Sequence, residues 1–354
     1  MALSGGGAGE RDRGVAGMTG HRAEVAGTDR RGQTRRALSA GAPARSLRAM
    51  LSFLIRRTAL AVLVALTVLT FAFALTRLAG DLAIVIAGPE ARAEDVAAIR
   101  RAYGLDRPLV IQFLDWAWRA ATGDFGESFF FRERVSTLIW QRLPVTLTLG
   151  LVGIGIALVV AIPLGILAAL RENTWVDRLV GLVALVGQAL PSFWLALLLM
   201  LFFGLQLGWL PISGTGSWEH YVMPGIVLSF SAIPALMRLT RAGMIDALSS
   251  DYIRTARAKG LSRSSIVLKH ALRNAAMPVV SISAVQLGFM LGGSIVIETV
   301  FALHGIGFLA WESISKNDFP TVQAVVLLFA IIYIVLTLVA DVANAVLDPR
   351  LRAS

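Results

Sequence analysis

The stretch "LPVTLTLGLVGIGIALVVAIPLGILAAL", residues 143–170, contains no charged side chain. A helix of about 20 apolar residues is long enough to cross the hydrocarbon core of a bilayer. The stretch therefore predicts a membrane-spanning helix. It also decides the fold class, because only helices and closed barrels can satisfy their backbone polar groups within lipid.

The same uncharged pattern recurs along the chain, which has 354 residues, is 56% hydrophobic and 16% charged, and has a mean hydropathy of +0.70. Soluble domains are about one quarter charged. We therefore predict an all-α integral membrane protein with six transmembrane helices. The other five runs are residues 58–76, 179–218, 220–237, 274–297 and 319–340.

Two of these runs contain helix-breaking residues. Glycine and proline accumulate in the second half of 179–218, so this run is interpreted as one span followed by an outside loop. Pro224 and Pro234 make 220–237 the weakest candidate, although neighbouring helices can satisfy a carbonyl freed by proline.

Lys and Arg are concentrated in the N-terminal region and in residues 238–277. By the positive-inside rule, this asymmetry predicts that both termini are cytoplasmic. The N-terminal tail is small and polar and is expected to be disordered; alternatively, translation starts at Met50. The predicted organisation is a cytoplasmic tail (1–49), a first span (50–79), an extracytoplasmic helical segment (80–144), a five-helix core (145–344) containing a cytoplasmic loop (243–278), and a cytoplasmic tail (345–354).

The extracytoplasmic segment is predicted to contain two amphipathic helices. Glu94 and Asp95 favour a helix start and Gly104 a stop, and Pro108 favours the start of the second helix. The apolar faces of the two helices could pack on each other, on the outer membrane surface or on a partner, and packing on the protein itself is the favoured expectation. The apolar face of the second helix consists of Val110, Ile111, Leu114 and Trp118.

Small residues recur every fourth position in the second span, which lets another helix approach closely. Packing within one subunit and a seam between two subunits fit this pattern equally well. Two glycines in the fifth span repeat the signal weakly. The residues are Gly153, Ala157, Ala161, Gly165 and Ala169 in the second span, and Gly288 and Gly292 in the fifth.

The most basic segment, "DYIRTARAKGLSRSSIVLKHALRNAAMP" (residues 251–278), lies between the fourth and fifth runs. Ser250 or Asp251 can cap a first helix, Gly260 fits a left-handed stop, and Ser262 can cap a second helix. A simple topological clamp, or a strip on anionic lipid, would also use these charges. Ala256, Ala258 and Gly260 beside fixed charges favour a protein docking surface instead.

This segment resembles the cytoplasmic coupling motif of ABC importer permeases, in the branch that takes up dipeptides, oligopeptides and nickel. The similarity extends from Met50 to Arg352. It includes "AEDVAAIRRAYGLDRPLVIQFLDWAWRAATGDFGES", "RLPVTLTLG", "IPLGILAALRENTWVD", "LPSFWLALLLM", "LGWLPISG", "QLGFMLGGSIVIETVF" and "LDPRLR".

The resemblance implies a type I importer fold in the bacterial inner membrane and a paralogous second permease subunit. It also implies two cytoplasmic ATPase subunits or domains that bind ATP and Mg, and an external solute-binding protein. The expected solutes are di- or oligopeptides, with nickel or glutathione as alternatives. Arg254 replaces the acidic residue of the general motif. The implied ATPase-coupling residues are Asp251, Tyr252, Arg254, Thr255, Ala256, Arg257, Ala258, Lys259 and Gly260.

The sequence motifs agree with a chain that is not an enzyme. The chain contains no phosphate-binding G-x-x-x-x-G-K-[ST] loop, so we expect the energy for transport to come from an ATPase partner. No cofactor or metal is expected in the chain, which has no cysteine and only scattered histidines. A secondary transporter driven by an ion gradient is the alternative. It is disfavoured because the span cores lack ionisable residues. The lipid bilayer is a further expected partner, and no nucleic acid is expected.

Four residues are candidates for the translocation path or gate. Glu298 at the outer end of the fifth span could meet a substrate amine or a gate partner, or could simply cap the span. Gln286 could line the path or bind a neighbouring helix. Pro191 is expected to bend the third span, with Ser192 returning a hydrogen bond to the freed carbonyl.

Overall fold

The computed structural model describes residues 42–78, 80–88 and 90–347, with side chains from 55 to 343 within those ranges. The predicted tail at 345–354 lies outside the described residues from 348 onward, and the predicted tail at 1–49 lies outside them up to residue 41. Residues 42–49, which were predicted as tail, are helical.

The described residues are helical and contain no β-strand, only an isolated bridge between Glu127 and Arg134. The α-helices in chain order are α1 (Ala42–Leu78), α2 (Leu82–Ala87), α3 (Ala93–Ala102), α4 (Leu109–Ala121), α5 (Val135–Leu170), α6 (Trp175–Ala189), α7 (Ser192–Leu199), α8 (Val222–Ser229), α9 (Ile233–Ser249), α10 (Asp251–Ala258), α11 (Arg263–Ser265), α12 (Leu272–Val300), α13 (Ile306–Ser315) and α14 (Phe319–Leu347). A π-helical stretch, Met200–Gln206, extends α7, and another, Ile266–Ala271, joins α11 to α12.

Four continuous stretches are long and apolar enough to span a membrane: Ile55–Leu78, Val135–Leu170, Arg263–Val300 and Phe319–Ala343. Two bent pairs of helices also qualify when each pair is taken together. The first pair is α6 and α7, the latter with its π-helical extension. The second pair is α8, with the short 3₁₀ turn before it, and α9. The prediction of an all-α membrane protein is confirmed. Six spans result when each bent pair counts as one span.

The third predicted span is broken more sharply than a proline kink. Its two halves meet at an angle of 97°. Leu190 precedes Pro191 and adopts an extended conformation (φ −74°, ψ 129°), because the proline ring disfavours helical geometry at the preceding residue. The run 179–218, interpreted as one span and a loop, is therefore a pair of helices followed by a loop.

The fourth predicted span is bent by 63° between α8 and α9. Pro234 lies in the first turn of α9 and Pro224 in the first turn of α8. A proline in a first helical turn removes no hydrogen bond, because the amide groups there have no partner within the helix. Both prolines therefore start helices and do not interrupt one.

Helix α5 lies at the centre of the core, with its small residues buried. A Cβ atom added to Gly153 would lie 2.7 Å from Cε of Met290 in α12. At Gly165 the added atom would lie 2.6 Å from Cβ of Thr240 in α9. The small stripe of α5 therefore packs against helices of the same chain, which is the first of the two alternatives that the sequence left open.

The segment between α1 and α5 contains the two predicted amphipathic helices as α3 and α4. Gly104 follows α3 with φ +65°, and Pro108 precedes α4. Helix α4 contacts α1 through Phe73, whose ring centroid lies 5.5 Å from that of Phe113 and 6.0 Å from that of Trp116. The expectation that the apolar face of α4 packs on the protein is wrong. Val110, Ile111, Leu114 and Trp118 are all exposed.

Candidate functional site

The basic segment forms a helical elbow, which we define as residues 250–262. Ser250 is extended (φ −74°, ψ 154°) and precedes α10, although its side chain makes no capping hydrogen bond to that helix. Gly260 ends the helix with φ +75°, where its amide donates to the carbonyl of Arg257 at 3.0 Å. The Ser262 hydroxyl accepts from the amide of Ser265 at 3.4 Å. The helix, turn and second helix lie where the sequence predicts them.

One side of the elbow is fastened to the protein. Ile253 is fully buried and Ala256 nearly so. They share an apolar cluster with Met244 of α9 and with Ala271 and Ala275 at the start of the fifth span. The expectation that Ala256 belongs to an outward docking surface is corrected here. Its small side chain lets α10 approach its own chain.

The other side of the elbow is open. The exposed residues include three cations, which none of the described helices covers. Arg257 also lines a cavity of about 510 Å³ between the elbow and the C-terminal end of α5, together with Arg263 and Leu170. Tyr252 is partly exposed, and its hydroxyl accepts from Nδ2 of Asn274 at 2.8 Å. Of the coupling residues implied by the sequence, the exposed ones are Asp251, Tyr252, Arg254, Thr255, Arg257, Ala258, Lys259 and Gly260.

Glu298 is fully buried near the end of α12, far along the chain from the elbow. Its Oε1 accepts from the hydroxyls of Thr146 and Ser294, each at 2.8 Å. Its Oε2 accepts from the amide of Phe308 in the first turn of α13 at 2.9 Å. A carboxylate is favourable there because the unpaired amides and the dipole of a helix start attract negative charge.

The Thr146 hydroxyl completes this arrangement by accepting from the amide of Ile306 at 2.7 Å. We call Glu298, Thr146 and Ser294 the carboxylate clamp, since they join α5, α12 and α13. Glycine is required beside it. A Cβ atom at Gly305 would lie 2.5 Å from Oε2 of Glu298.

The structure does not bring the other candidate path residues to this clamp. Gln286 is half-buried in the middle of α12. Pro191 and Ser192 are exposed at the break between α6 and α7. The two glycines predicted to pack in the fifth span differ. A Cβ atom added to Gly288 would lie 2.8 Å from the ring of Tyr333 in α14, whereas one added to Gly292 would meet open space.

Several polar contacts were missed by sequence reasoning. Thr146 and Ser294 lie in apolar runs, where a hydroxyl commonly bonds to its own helix and gives no distinctive signal. Asp318 is fully buried and accepts from the hydroxyls of Ser128 at 2.5 Å and Thr321 at 2.7 Å. Its position directly before α14 was the available signal, because aspartate is a preferred residue at helix starts.

The described residues contain no group of three or more His, Cys, Asp or Glu side chains arranged to hold a metal ion. The candidate site consists of an exposed basic elbow at one end of the helices and a buried carboxylate clamp whose Glu298 lies in α12, more than 30 residues further along the chain.

Comparison with known proteins gives the family. Residues 161–353 match the binding-protein-dependent transport system inner membrane component, and residues 50–150 match the N-terminal region of such membrane components. The glutathione transport system permease protein GsiC of Salmonella typhimurium is 45% identical over 275 residues, which cover 78% of this chain and 90% of the relative. GsiC of Escherichia coli K12 is 44% identical with the same coverage.

A crystal structure of the MetNI methionine ABC transporter in an inward-facing conformation shares the fold. The TM-score is 0.51 at 20% identity, and the match covers 60% of this chain and 96% of that one. Taken with the helical architecture, these similarities agree with the resemblance found in the sequence. The chain belongs to the family of binding-protein-dependent transport system inner membrane components and is a permease subunit of an ABC importer.

Proposed function

We propose that this permease forms half of a translocation path for small peptides, and that glutathione is the first solute to test. The observation that carries the proposal is the 45% identity to a glutathione permease across 90% of that relative. Glutathione is a tripeptide, so it falls within the peptide class that the sequence resemblance implies. Nickel chelates remain the competing solute class within the same family.

The proposed partners are a paralogous second permease subunit, two ATPase subunits and an external solute-binding protein. In this arrangement the elbow docks on the ATPase, and both termini lie on the same cytoplasmic side. ATP and Mg bind to the ATPase and not to this chain. The residues proposed to contact the ATPase are the exposed ones of the elbow, and Ala256 supports them from beneath.

Charge and exposure support this docking role. Arg254, Arg257 and Lys259 project from a short helix whose opposite side is packed into the protein. A partner with acidic residues would meet fixed cations on a rigid support, which favours specific association. For the path, we propose that Gln286 contributes a polar lining, that Pro191 and Ser192 form a bend that can move, and that Glu298 holds the gate region in place.

The test is uptake by the complete transporter in proteoliposomes, loaded with ATP on the side of the ATPase. Labelled glutathione should accumulate only when ATP, the solute-binding protein and this chain are all present. Unlabelled glutathione should compete strongly, and a nickel chelate should not. Accumulation driven by a proton or sodium gradient without ATP would contradict the importer mechanism, whereas ATP-dependent uptake of nickel alone would contradict the solute.

A further inference from the structure

Helix α4 has three distinct sides. Phe113, Trp116 and Ala120 face the protein, where Phe113 and Trp116 pack on Phe73 of α1. Asp115 and Arg119 are exposed on the charged side. The remaining side is apolar and open, and we call it the outer face of α4. It consists of Val110, Ile111, Leu114 and Trp118, whose exposed fractions are 69%, 44%, 59% and 73%.

The contact with Phe73 fixes the level of α4 along the first span. Phe73 lies five residues before the end of α1, a distance of about 7.5 Å along the helix axis. The guanidinium of Arg77 lies 5.0 Å from the centroid of the Phe73 ring. A charged side chain is costly at the centre of the hydrocarbon core, so this level belongs to the end of the span. Helix α4 therefore lies at the boundary between hydrocarbon and headgroups.

The last turns of α1 are apolar and exposed on the side opposite this contact. Phe71, Leu75 and Leu78 are 65%, 62% and 83% exposed, and they lie in the same turns as Phe73 of a helix long enough to span a membrane. Helix α4 thus packs at a depth where the span itself presents apolar side chains. An exposed apolar strip with a tryptophan on one side and charged residues on the other is typical of helices that lie in the membrane interface.

We propose that the outer face of α4 is a lipid-binding surface, which inserts Leu114 and Trp118 among the headgroups and upper acyl chains at the C-terminal end of α1. Asp115 and Arg119 then point toward water. The segment between α1 and α5 would be held against the bilayer by this helix as well as by its contact with Phe73. Lipid is the occupant because α4 packs on a residue within a candidate membrane span, at a depth where the exposed side chains of α1 are apolar.

The chain has no cysteine, so single-cysteine variants report one position each. We would attach a nitroxide at L114C and W118C, and at D115C and R119C as matched neighbours, in the assembled transporter. The complex is placed in nanodiscs of phosphatidylethanolamine and phosphatidylglycerol. Accessibility to oxygen, which concentrates in lipid, is then compared with accessibility to a water-soluble nickel chelate.

The expected result is a ratio of oxygen to nickel accessibility that is severalfold higher at positions 114 and 118 than at 115 and 119. All four positions are exposed in the chain, so the label disturbs no internal packing. Equal nickel accessibility at all four positions would overturn the proposal, since α4 would then lie in water. Protection of 114 and 118 from both reagents would also overturn it, since a protein would cover the face.

Discussion

Glu298 combines full burial with the absence of a salt bridge among the described residues. Its charge is supported by neutral donors, namely two hydroxyls and the amide of Phe308. The donors differ in one respect. A hydroxyl can rotate and accept a hydrogen bond, whereas a backbone amide can only donate. This difference predicts how substitutions should rank.

In Glu298→Gln, the amide oxygen can face Phe308 while the amino group donates to the rotated hydroxyls, so we expect a small loss of stability. In Glu298→Leu, the Phe308 amide and the Thr146 hydroxyl lose their acceptor. Each buried orphaned group costs about 1–3 kcal/mol. Thermal unfolding of the purified protein in detergent should therefore rank wild type above Gln, and Gln far above Leu.

Glu312→Gln is the matched control, because Glu312 is partly exposed and pairs with Arg142 only at 3.4 Å. It should unfold close to the wild-type temperature. If Glu298 contacts the solute directly, Glu298→Gln would leave the unfolding temperature unchanged and raise the solute concentration needed for half-maximal uptake. That outcome would contradict a purely positional role of the clamp.

Substitutions at Gly260 and Gly292 separate the effect of backbone conformation from the effect of steric crowding. Neither has a neighbour within 4 Å of an added Cβ atom, but only Gly260 has a positive φ, at +75°. Gly260→Ala should destabilise the elbow by about 1 kcal/mol, because a side chain disfavours left-handed geometry. Gly292→Ala should be neutral or slightly stabilising in the isolated chain. Hydrogen exchange at residues 255–261 measures the first effect, and unchanged exchange in Gly260→Ala would contradict it.

At the scale of elements, the sequence predicts a helix well where a local sequence signal determines it. The charged first turn at Glu94 and Asp95 places α3 correctly, and the uncharged run at 143–170 gives the end of α5 but not its start at Val135, because charged and polar residues of its first turns hide the start. The break of the third span at Leu190 is different. A proline predicts a bend, but its 97° angle depends on packing among α6, α7 and their neighbours, which a single sequence does not contain.

Helix α4 also shows a limit of prediction from a single sequence. Its position was predicted correctly, but the side of the helix that packs on the protein was not. The sequence shows an apolar side with Val110 and Trp118 but does not say which aromatic residues meet α1. The ring contacts of Phe73 with Phe113 and Trp116 select a neighbouring side of the helix. A helix with two apolar sides has more than one way to pack, and only tertiary contacts choose between them.

The start of the bent third span is tied to α9 by an ion pair. Arg241 donates from two nitrogens to the two carboxylate oxygens of Asp177, each at 2.7 Å. Arg241→Lys keeps the charge but loses the paired geometry. We expect it to lower the free energy of unfolding by about 1 kcal/mol, since the pair is partly exposed. The exchanged double variant Asp177→Arg with Arg241→Asp should recover part of that loss relative to Asp177→Arg alone in thermal unfolding.

Lack of any recovery in the double variant would show that the two helices are not held by this pair. Arg254→Lys is the control, because Arg254 lies 3.8 Å from Asp251 and both side chains are almost fully exposed. Pairs of this kind contribute little to stability. The control should therefore unfold like the wild type.

At the scale of the whole molecule, the proposed docking of the elbow on an ATPase would pass motion to the spans. Ile253 anchors α10 in a cluster with Met244 of α9 and Ala271 and Ala275 near the start of α12. Close-packed interiors deform little, so a push on α10 moves the helix ends that pack against it. We therefore propose that docking and transmission are carried by opposite sides of one short helix, which makes them separable by mutation.

Charge reversal at Arg254 and Arg257 alters only exposed groups, so we expect normal thermal stability but weak association with the ATPase and little ATP-driven uptake.

Ile253→Ala leaves those cations in place and removes the anchor, at a cost of about 2–5 kcal/mol for a fully buried isoleucine. The ATPase should still bind, while uptake per ATP hydrolysed falls. Ile253→Val, with a cost of about 0.5–1.5 kcal/mol, should give a folded intermediate case. Pull-down, ATP hydrolysis and uptake on the same preparation distinguish the two defects. Loss of ATPase binding in Ile253→Val, or normal uptake after charge reversal, would contradict this division of roles.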